Sequence, residues 1–343
     1  MRLLVTGGAG FIGSNFIHYW MAKYPQDKIV NLDDLTYAGN LENLVVIENN
    51  PNYTFVKGEI SNKELVEEIM VGIDIVVHFA AETHVDRSIM DSGAFVKTNV
   101  LGTQVLLEVA RKKNTRLHHV STDEVFGSLK LKSNEAFDEN NSYNPRNPYA
   151  ASKAGSDHLV RSYFYTYGLP ITISNTSNNF GPFQFPEKFI PLTITNLLEN
   201  KPVPIYGKGN QVRDWIYVAD HCAGIDLIIQ KGKAGETYCL GGLTEDISNL
   251  QVAQMIAKLL KKPAELLQFV ADRPGHDVRY AINWSKANLE LGYKPMHSFD
   301  DYLSQTIQWY QKNSNWWKRV KSGEYQKYYK SQYGYISQKK HEI

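Results

Sequence analysis

The first third of the chain alternates short apolar runs with amphipathic stretches. Five apolar runs, rich in branched side chains and bounded by turn residues, predict buried parallel strands at 3–5, 29–32, 53–56, 75–79 and 117–120. The helical spacing of apolar residues predicts helices at 14–24, 63–70, 95–112 and 149–167. Strand–helix alternation of this kind is typical of right-handed βαβ units, so the sequence predicts an α/β fold with a doubly wound parallel sheet.

The composition of the chain changes after about residue 175, where glycine and proline cluster. We expect a smaller second lobe there. The first domain is expected to span 1–175 plus about 213–238, and the second, C-terminal lobe about 176–212 plus 239–315. Residues 316–343 form the last predicted segment, a basic, Tyr-rich extension. From residue 317 it holds seven Lys and Arg against two Glu, with five Tyr interleaved, and a solvated helix or tail is the expected structure.

Composition narrows the classes of function. The 343 residues include 37 Lys and Arg against 36 Asp and Glu, a net charge of +1, which argues against a dedicated nucleic-acid or membrane-surface protein. The two cysteines, Cys222 and Cys239, form no CxxC pair. We therefore expect neither a disulfide nor a metal site, and a cytoplasmic location. The sequence has no run of roughly 18 apolar residues and no signal-peptide pattern.

A glycine-rich loop follows the first predicted strand and opens the first helix. Gly7, Gly10 and Gly13 in TGGAGFIG (6–13) allow a tight turn, close approach of the backbone to a pyrophosphate and close helix–strand packing. The N-terminus of the helix offers free N–H groups to the phosphates. Asp33 ends the second predicted strand, where a carboxylate accepts hydrogen bonds from a ribose 2′-OH and repels a 2′-phosphate. The sequence therefore predicts NAD rather than NADP as the cofactor.

The GxxGxxG spacing resembles that of the short-chain dehydrogenase/reductase superfamily, whose second mark is Tyr-x-x-x-Lys. The chain carries this pair as Tyr149 and Lys153, and a four-residue spacing puts both side chains on one face of a helix. The lysine ammonium favours a phenolate, so we expect the pKa of Tyr149 to lie below its usual value of about 10. A tyrosine so placed can remove a hydroxyl proton while hydride leaves the same carbon.

Two adjacent carboxylates, Asp123 and Glu124, follow the fifth predicted strand. Ligands bind at the carboxyl ends of such strands, and a simple alcohol dehydrogenase or 4-epimerase needs only a hydroxyl there, such as that of Thr122. The acid pair therefore indicates additional proton transfers. The alternative interpretation is that both carboxylates cap the following turn or face solvent.

Seven segments carry a more specific likeness: DLTYAGN (34–40), HFAAETHVDRS (78–88), STDEVFG (121–127), SNNFGP (177–182), PEKFIPL (186–192), NQVRDW (210–215) and DRPGHDVRY (272–280). Together they resemble the dTDP-glucose 4,6-dehydratase family of extended short-chain dehydrogenases/reductases. The resemblance covers residues 1 to about 312, and the acid pair and the Arg-Pro-Gly-His segment are its most specific parts. Phe126 stands where this family usually has Tyr, and Glu59 where an adenine-contacting Asp is common.

The resemblance implies a homodimer that holds NAD tightly and converts dTDP-glucose to dTDP-4-dehydro-6-deoxy-glucose and water. Tyr149 would take the proton of the sugar 4-OH while hydride passes from C4 to NAD, with Thr122 holding O4. Glu124 would then remove the C5 proton while Asp123 protonates the departing C6 hydroxyl, and the hydride would return to C6. Lys153 would assist Tyr149.

The residues expected to form the site fall into three sets. The catalytic set is Thr122, Asp123, Glu124, Tyr149 and Lys153. The cofactor-binding set is Gly7, Gly10, Phe11, Ile12, Gly13, Asp33, Leu35, Thr36, Glu59, Ile60, Ala80, Ala81, Thr98, Ser121, Tyr149, Lys153 and Asn178. The substrate-binding set is Thr83, Thr122, Asn178, Glu187, Lys188, Leu192, Pro204, Tyr206, Arg213, Asn249, Asp272, His276 and Tyr280. Arg213 and Arg279 offer planar guanidinium groups for two phosphates.

Other functions stay open at this point. A UDP-sugar 4,6-dehydratase would differ only in the base that it recognises, and a 4-epimerase or a decarboxylase would share everything except the acid pair. A non-catalytic NAD-binding or RNA-binding protein is the alternative from a different class, and the Thr122, Tyr149 and Lys153 set argues against it. The choice between thymine and uracil depends on room for one methyl group, and the deoxysugar pathway is not encoded in the pattern.

Overall fold

A parallel sheet organises the part of the chain that the computed structural model describes, residues 1–243 and 246–322. The strands are β1 (Arg2–Thr6), β2 (Lys28–Asp33), β3 (Tyr53–Lys57), β4 (Ile75–His78), β5 (Arg116–Thr122), β6 (Ile171–Thr176), β7 (Asn178–Phe180), β8 (Val203–Tyr206), β9 (Val212–Arg213), β10 (Trp215–Tyr217), β11 (Thr237–Leu240), β12 (Ile247–Ser248) and β13 (Leu267–Val270). The helices are α1 (Phe11–Lys23), α2 (Lys63–Ile69), α3 (Val85–Met90), α4 (Ser92–Phe95), α5 (Thr103–Lys113), α6 (Pro148–Tyr167), α7 (Phe189–Leu198), α8 (Val218–Lys231), α9 (Asn249–Leu259), α10 (Ser285–Leu291), α11 (Phe299–Lys312) and α12 (Ser314–Val320). Short 3-10 turns lie at Leu41–Ile47, Asp123–Phe126 and Ala264–Leu266.

Seven strands pair side by side in the order β11-β6-β5-β4-β1-β2-β3, and all neighbours are parallel. Side chains alternate between the two faces: Leu3 and Val5 pack with α1 and α8, whereas Leu4 packs with α2, α5 and α6. The five strands predicted from the apolar runs all lie in this sheet, and the predicted doubly wound parallel sheet is confirmed. The order of the strands reverses between β1 and β4, and ligands bind at the carboxyl edge of such a point.

The helix that carries Tyr149 and Lys153, α6, has well-defined ends. The side chain of Asn147 accepts a hydrogen bond from the backbone N–H of Ala150 at 2.9 Å, and Pro148 occupies the first helical position. Gly168, with a φ of 69°, ends the helix in the left-handed conformation that favours glycine. Capping at both ends therefore determines that Tyr149 lies in the first turn of α6.

The helix predicted at 95–112 is interrupted in the structure. A π-helical turn, Val96–Gly102, joins α4 to α5. The buried side chain of Asn99 in this turn accepts from the N–H of Glu82 at 2.9 Å and donates to the carbonyl of Glu82 at 3.0 Å and to Ser152 Oγ at 2.8 Å. The widened turn thus connects α6 to the loop after β4, which is a tertiary contact that helical periodicity does not reveal.

The C-terminal half of the chain contains an apolar core of its own. The strand pairs β7–β10, β9–β12 and β8–β13 and helices α7, α9 and α11 surround buried aromatic side chains that include Phe180, Trp215 and Phe299. Between these elements the chain returns to the first domain, where α8 packs on α1 and β11 forms an edge of the central sheet. The predicted boundary near 238 falls inside β11. The division into two lobes stays a prediction.

Helix α12 closes the described part of the chain. Its Trp316 and Trp317 are 7% and 2% exposed and pack into the same apolar core as Phe180, Trp215 and Phe299. Trp316 also donates from Nε1 to Asn43 Oδ1 at 2.9 Å, which ties α12 to the first domain. The predicted extension thus begins as a buried helix, and its remainder, 323–343, lies outside the described residues. Among the residues described, none of the helices has the length and apolar character to cross a membrane.

Candidate active site

A cavity of about 470 Å³ opens at the carboxyl edge of the sheet, next to the reversal of the strand order. Its wall holds sixteen of the expected cofactor-binding residues: Gly7, Gly10, Phe11, Ile12, Gly13, Asp33, Thr36, Glu59, Ile60, Ala80, Ala81, Thr98, Ser121, Tyr149, Lys153 and Asn178. Leu35 is not part of this wall. Its N–H donates to Asp33 Oδ1 at 2.8 Å, and its side chain packs against the apolar core.

The glycine loop leaves space for a phosphate group. At Gly7 (φ 73°) an added Cβ would lie 2.6 Å from the backbone nitrogen of Ala80, and at Gly13 an added Cβ would lie 2.3 Å from the Gly7 carbonyl oxygen. Packing within the protein therefore requires glycine at both positions. At Gly10 an added Cβ would meet only the Gly7 oxygen, at 3.3 Å, so the space in front of Gly10 belongs to the cavity. These residues fit a dinucleotide whose pyrophosphate approaches Gly10 and the N-terminus of α1.

The carboxylate of Asp33 is oriented by the backbone. Its Oδ2 accepts from the N–H of Ala9 at 2.9 Å and its Oδ1 from the N–H of Leu35 at 2.8 Å. Burial raises the pKa of Asp33 above its usual value, while these two hydrogen bonds oppose the shift. Glu59 lies on the same wall and pairs with Lys97 at 2.7 Å, and this hydrogen bond lowers the pKa of Glu59. An ion pair thus occupies the position expected to contact adenine.

Tyr149 lies in the wall of the same cavity as Thr122, which ends β5. Burial raises the pKa of Tyr149 above its ordinary value, the charge of Glu124 raises it further, and a hydrogen bond with Thr122 opposes both. The structure therefore differs from the expected lowering by Lys153. The reason is that burial, the largest cause, penalises the phenolate, while Lys153 Nζ donates to the carbonyl of Val120, at 2.9 Å.

Lys153 is buried, with 4% of its surface exposed, and its Nζ lies 3.3 Å from His119 Nε2. Burial lowers the pKa of Lys153 to about 8, and the charge of Asp157 opposes this shift. The side chain therefore keeps most of its positive charge at neutral pH. This charge lies on the same cavity wall as the phenol of Tyr149.

Asp123 and Glu124 form the start of the 3-10 turn after β5. The cap of this turn is Thr122, whose hydroxyl oxygen accepts from the N–H of Glu124 at 3.2 Å, so neither carboxylate acts as the cap. Asp123 is fully buried, and burial together with the charges of Glu124 and Asp214 raises the pKa of Asp123 well above its usual value, which favours the protonated carboxyl. Burial also raises the pKa of Glu124. Glu124 lines the cavity, whereas Asp123 does not.

A second cavity, of about 170 Å³, shares part of its wall with the first. Ten expected substrate-binding residues line it: Asn178, Glu187, Lys188, Leu192, Pro204, Tyr206, Arg213, Asn249, His276 and Tyr280. Thr83 and Thr122 line the first cavity instead. Glu124, Asn178 and Lys188 line both, which places Glu124 at the junction of the two cavities.

Three cationic side chains line the second cavity. Lys188 donates from Nζ to the carbonyl of Thr83 at 2.8 Å, and the guanidinium of Arg213 stacks on the ring of Tyr280 at 4.4 Å. Arg273 has a buried Nε that makes no hydrogen bond to any residue that the structure describes. Guanidinium and ammonium groups that converge on a cavity suit a ligand with two negative phosphates.

The segment around Arg-Pro-Gly-His contains several charged residues, and the structure shows which of them line a cavity. Asp272 does not line either cavity, and its Oδ1 lies 2.6 Å from His276 Nδ1, so it orients His276. Arg279 pairs with Asp246 at 2.7 Å and lines neither cavity. Arg273, which the sequence did not single out, lines the second cavity. The segment is irregular, and therefore its spacing carries no signal for which arginine faces the ligand.

A Rossmann sheet, a Tyr–Lys pair and a cationic second cavity define an extended short-chain dehydrogenase/reductase with room for a nucleotide-linked substrate. The chain belongs to the family described as GDP-mannose 4,6 dehydratase, whose sequence profile matches residues 4–306. It is 49% identical to a dTDP-glucose 4,6-dehydratase of Escherichia coli, over 97% of this chain and 99% of the relative. It is 48% identical to the dTDP-glucose 4,6-dehydratase of Haemophilus influenzae, over 92% of this chain and 99% of the relative. The family resemblance expected from the sequence is confirmed.

Solved structures give the same result. A dTDP-glucose 4,6-dehydratase from Streptomyces venezuelae, crystallised with NAD bound, has a TM-score of 0.91 at 46% identity and covers 93% of this chain and 100% of its own. A UDP-glucuronic acid 4-epimerase from Bacillus cereus has a TM-score of 0.85 at 30% identity and covers 91% of this chain and 99% of its own. The fold is thus common to dehydratases and epimerases, and the distinction depends on residues of the site.

Proposed function

We propose that the protein converts dTDP-glucose to dTDP-4-dehydro-6-deoxy-glucose and water, with NAD as its cofactor. Glu124 carries the proposal because it lines both cavities, between the Tyr149–Lys153 pair and the cations of the second cavity. A base at this junction would lie beside the sugar of a nucleotide-sugar whose diphosphate occupies the second cavity. The relatives with 48% and 49% identity are named for this reaction.

The first cavity supports NAD as the cofactor. Gly10 and the N-terminus of α1 would face the pyrophosphate, and Asp33 would accept the hydrogen bonds of the adenosine ribose. When bound, NAD supplies the oxidation at C4 of the sugar and the return of the hydride to C6. The other steps are proton transfers by residues of the chain.

The first proton transfer belongs to Tyr149, which would take the proton of the sugar 4-OH. Because its pKa is raised, the phenolate needs a positive neighbour, and Lys153 keeps its charge on the same wall. Thr122 would share the hydrogen bond of the sugar O4 with Tyr149, since its hydroxyl already bonds to the phenol. The ketone formed at C4 then makes the C5 hydrogen acidic.

The acid pair would carry out the elimination. Glu124 would remove the C5 proton, and Asp123 would protonate the departing C6 hydroxyl. The raised pKa of Asp123 supports a carboxyl that holds a proton to donate. Asp123 Oδ1 accepts from Thr122 Oγ1 at 3.3 Å, and its Oδ2 makes no hydrogen bond to any described residue. The acid role requires the C6 hydroxyl to reach this free oxygen when the sugar is bound.

We also propose that the protein is a homodimer in the cytoplasm and has no nucleic-acid or membrane partner. Ile89, Met90, Val96 and Leu101, between α3 and α5, are 43%, 62%, 54% and 50% exposed, and a second copy would cover such an apolar surface. Light scattering should give twice the mass of the chain, and a monomer at micromolar concentration would contradict this part of the proposal.

The cofactor preference follows from Asp33. We expect the wild-type protein to bind NAD more tightly than NADP, because a carboxylate accepts the 2′-OH and repels a 2′-phosphate. Asp33→Asn should weaken NAD binding by roughly 10- to 100-fold, since a hydrogen bond to a charged group is lost. Calorimetric titration measures both, with the exposed Asp74→Asn as a control that leaves NAD affinity unchanged. NADP binding as tight as NAD binding in the wild type would refute the assignment.

The path of hydrogen provides a second test. Deuterium placed at C4 of dTDP-glucose is expected at C6 of the product, because hydride held on a cofactor does not exchange with water. Solvent hydrogen should appear at C5, because a proton on the Glu124 carboxyl does exchange. Mass spectrometry and NMR of the product locate both labels. Loss of the C4 deuterium to water, or its retention at C4, is incompatible with the scheme.

A further inference from the structure

A buried carboxylate that the proposed proton transfers do not use lies one turn beyond Lys153 on α6. Asp157 is fully buried, and its spacing of four from Lys153 and eight from Tyr149 puts all three residues on one face of the helix. A buried charge is costly unless it is paired and hydrogen-bonded. The contacts of Asp157 therefore indicate what this charge stabilises.

One oxygen of Asp157, Oδ2, accepts three hydrogen bonds. Oδ2 accepts from Ser121 Oγ at 2.9 Å, from the hydroxyl of Tyr143 at 2.8 Å and from Asn175 Nδ2 at 3.3 Å. Oδ1 lies 3.1 Å from His119 Nε2. Burial by itself would raise the pKa of Asp157, but the contact with His119 and the positive charge nearby outweigh it and lower this pKa. The carboxylate therefore stays ionised.

One ring nitrogen of His119 lies near both this carboxylate and the ammonium of Lys153, so it can donate to the first or accept from the second, but not both. This nitrogen, Nε2, is 3.1 Å from Asp157 Oδ1 and 3.3 Å from Lys153 Nζ. Burial lowers the pKa of His119 to about 4, with the charge of Lys153 adding to the effect. The imidazole is therefore neutral at pH 7. The attraction that offsets the burial of the Lys153 ammonium comes from Asp157.

The other titratable groups around the cluster do not replace Asp157. His78 of β4 lies beside His119, with ring centres 5.1 Å apart, and burial lowers the pKa of His78 well below its usual value. Tyr143, in the loop before α6, has a pKa raised by burial and is neutral, and Arg161 of α6 donates to its hydroxyl at 2.7 Å. Tyr149, on the same face, is also neutral until it reacts. These neighbours are neutral, except for the cation Arg161. Asp157 is therefore the group whose negative charge balances the positive charge of Lys153.

We propose that Asp157 is a positioning residue for the reaction: its buried negative charge holds the ammonium of Lys153, one turn away on α6, in place on the cavity wall, and its hydrogen bond from Ser121 holds the end of β5. The inference rests on the proposed role of Lys153 beside Tyr149. It adds a buried carboxylate to the residues on which the C4 oxidation depends, although Asp157 does not line either cavity. If Lys153 loses its charge, the phenolate of Tyr149 loses its stabilising neighbour.

The charge of Lys153 can be measured without any substrate. In protein labelled with ¹³C-lysine, the Lys153 signal is identified by its loss in Lys153→Met, and its chemical shift is followed from pH 6 to pH 10. Asp157→Asn keeps the size of the side chain and removes its charge, so the titration midpoint of Lys153 should move to lower pH by about one pH unit or more. Asp226→Asn is the matched control. Asp226 is 1% exposed and accepts hydrogen bonds from Lys23 and other groups of α1, so its loss should leave the midpoint of Lys153 unchanged.

The pH profile of C4 oxidation gives the second readout. In Asp157→Asn the alkaline limb of kcat should move to lower pH by the same interval as the Lys153 midpoint, whereas Asp226→Asn should keep the wild-type profile. An unchanged Lys153 midpoint in Asp157→Asn overturns the proposal. A neutral Lys153 at pH 7 in the wild type overturns it as well, even if Asp157→Asn does not fold. If the midpoint shifts but the wild type leaves dTDP-glucose unchanged, the proposed function fails and the link between Asp157 and Lys153 stands.

Discussion

Replacing Asp123 by Asn and Glu124 by Gln together is expected to stop formation of the 4-keto-6-deoxy product while the first oxidation proceeds. The two amides keep the size of the side chains but remove the transferable proton and the base. Tyr149, Thr122 and Lys153 are unchanged, so the variant should bind NAD and produce the absorbance of reduced nicotinamide on mixing with dTDP-glucose. It should then stall, and product measured by mass spectrometry should fall by roughly 10²–10⁴ for each lost acid–base step.

The control for this double variant is Asp220→Asn. Asp220 is a buried carboxylate that accepts from the hydroxyl of Tyr302 at 2.9 Å and from the N–H of Met296 at 3.1 Å, away from both cavities. Its loss should reduce stability with turnover retained. If Asp123 and Glu124 served only the local turn, the double variant would lose about 1 kcal/mol of stability and make product at nearly the wild-type rate. That result would refute both acid–base roles.

Tyr149→Phe is expected to block the reaction one step earlier. The phenolate of Tyr149 is the group that would accept the 4-OH proton, and phenylalanine has no oxygen at this point of the cavity wall. Reduced nicotinamide should therefore not form on mixing with dTDP-glucose, and the rate of C4 oxidation should fall by roughly 10²–10⁴. Stopped-flow absorbance separates this variant from the acid-pair variant, in which the absorbance rises and persists.

A matched control for Tyr149 is Tyr163→Phe on the same helix. Tyr163 is 8% exposed and lies near the C-terminal end of α6, where its hydroxyl donates to Glu108 at 3.2 Å, and it lines neither cavity. Tyr163→Phe removes a hydroxyl oxygen, as Tyr149→Phe does, and should keep the wild-type rate of oxidation. Formation of reduced nicotinamide by Tyr149→Phe at the rate of Tyr163→Phe would remove Tyr149 from the proposed mechanism.

Much of the structure of this protein can be predicted from its sequence, because local chemistry determines it. A parallel strand buried on both faces must be apolar along its length, so the five apolar runs of the first third identified five strands of the central sheet. Gly7 and Gly13 are required by backbone contacts within the loop itself and its neighbouring strand. The residues at the carboxyl ends of β1, β2 and β5 had to meet, because parallel strands bring these ends to one edge.

The sequence by itself thus determined the sheet, the phosphate loop, the Tyr149–Lys153 pair and the family. Tertiary structure alone decided which side chains face the ligand cavities. Arg273 rather than Arg279 lines the second cavity, Leu35 packs inward, and Glu124 lines both cavities whereas the buried Asp123 lines neither. The second cavity joins loops and helices far apart in the chain, and irregular segments have no fixed period from which the direction of a side chain follows. The contacts of His119 with Asp157 and Lys153 depend on packing between α6 and β5, which no local pattern encodes.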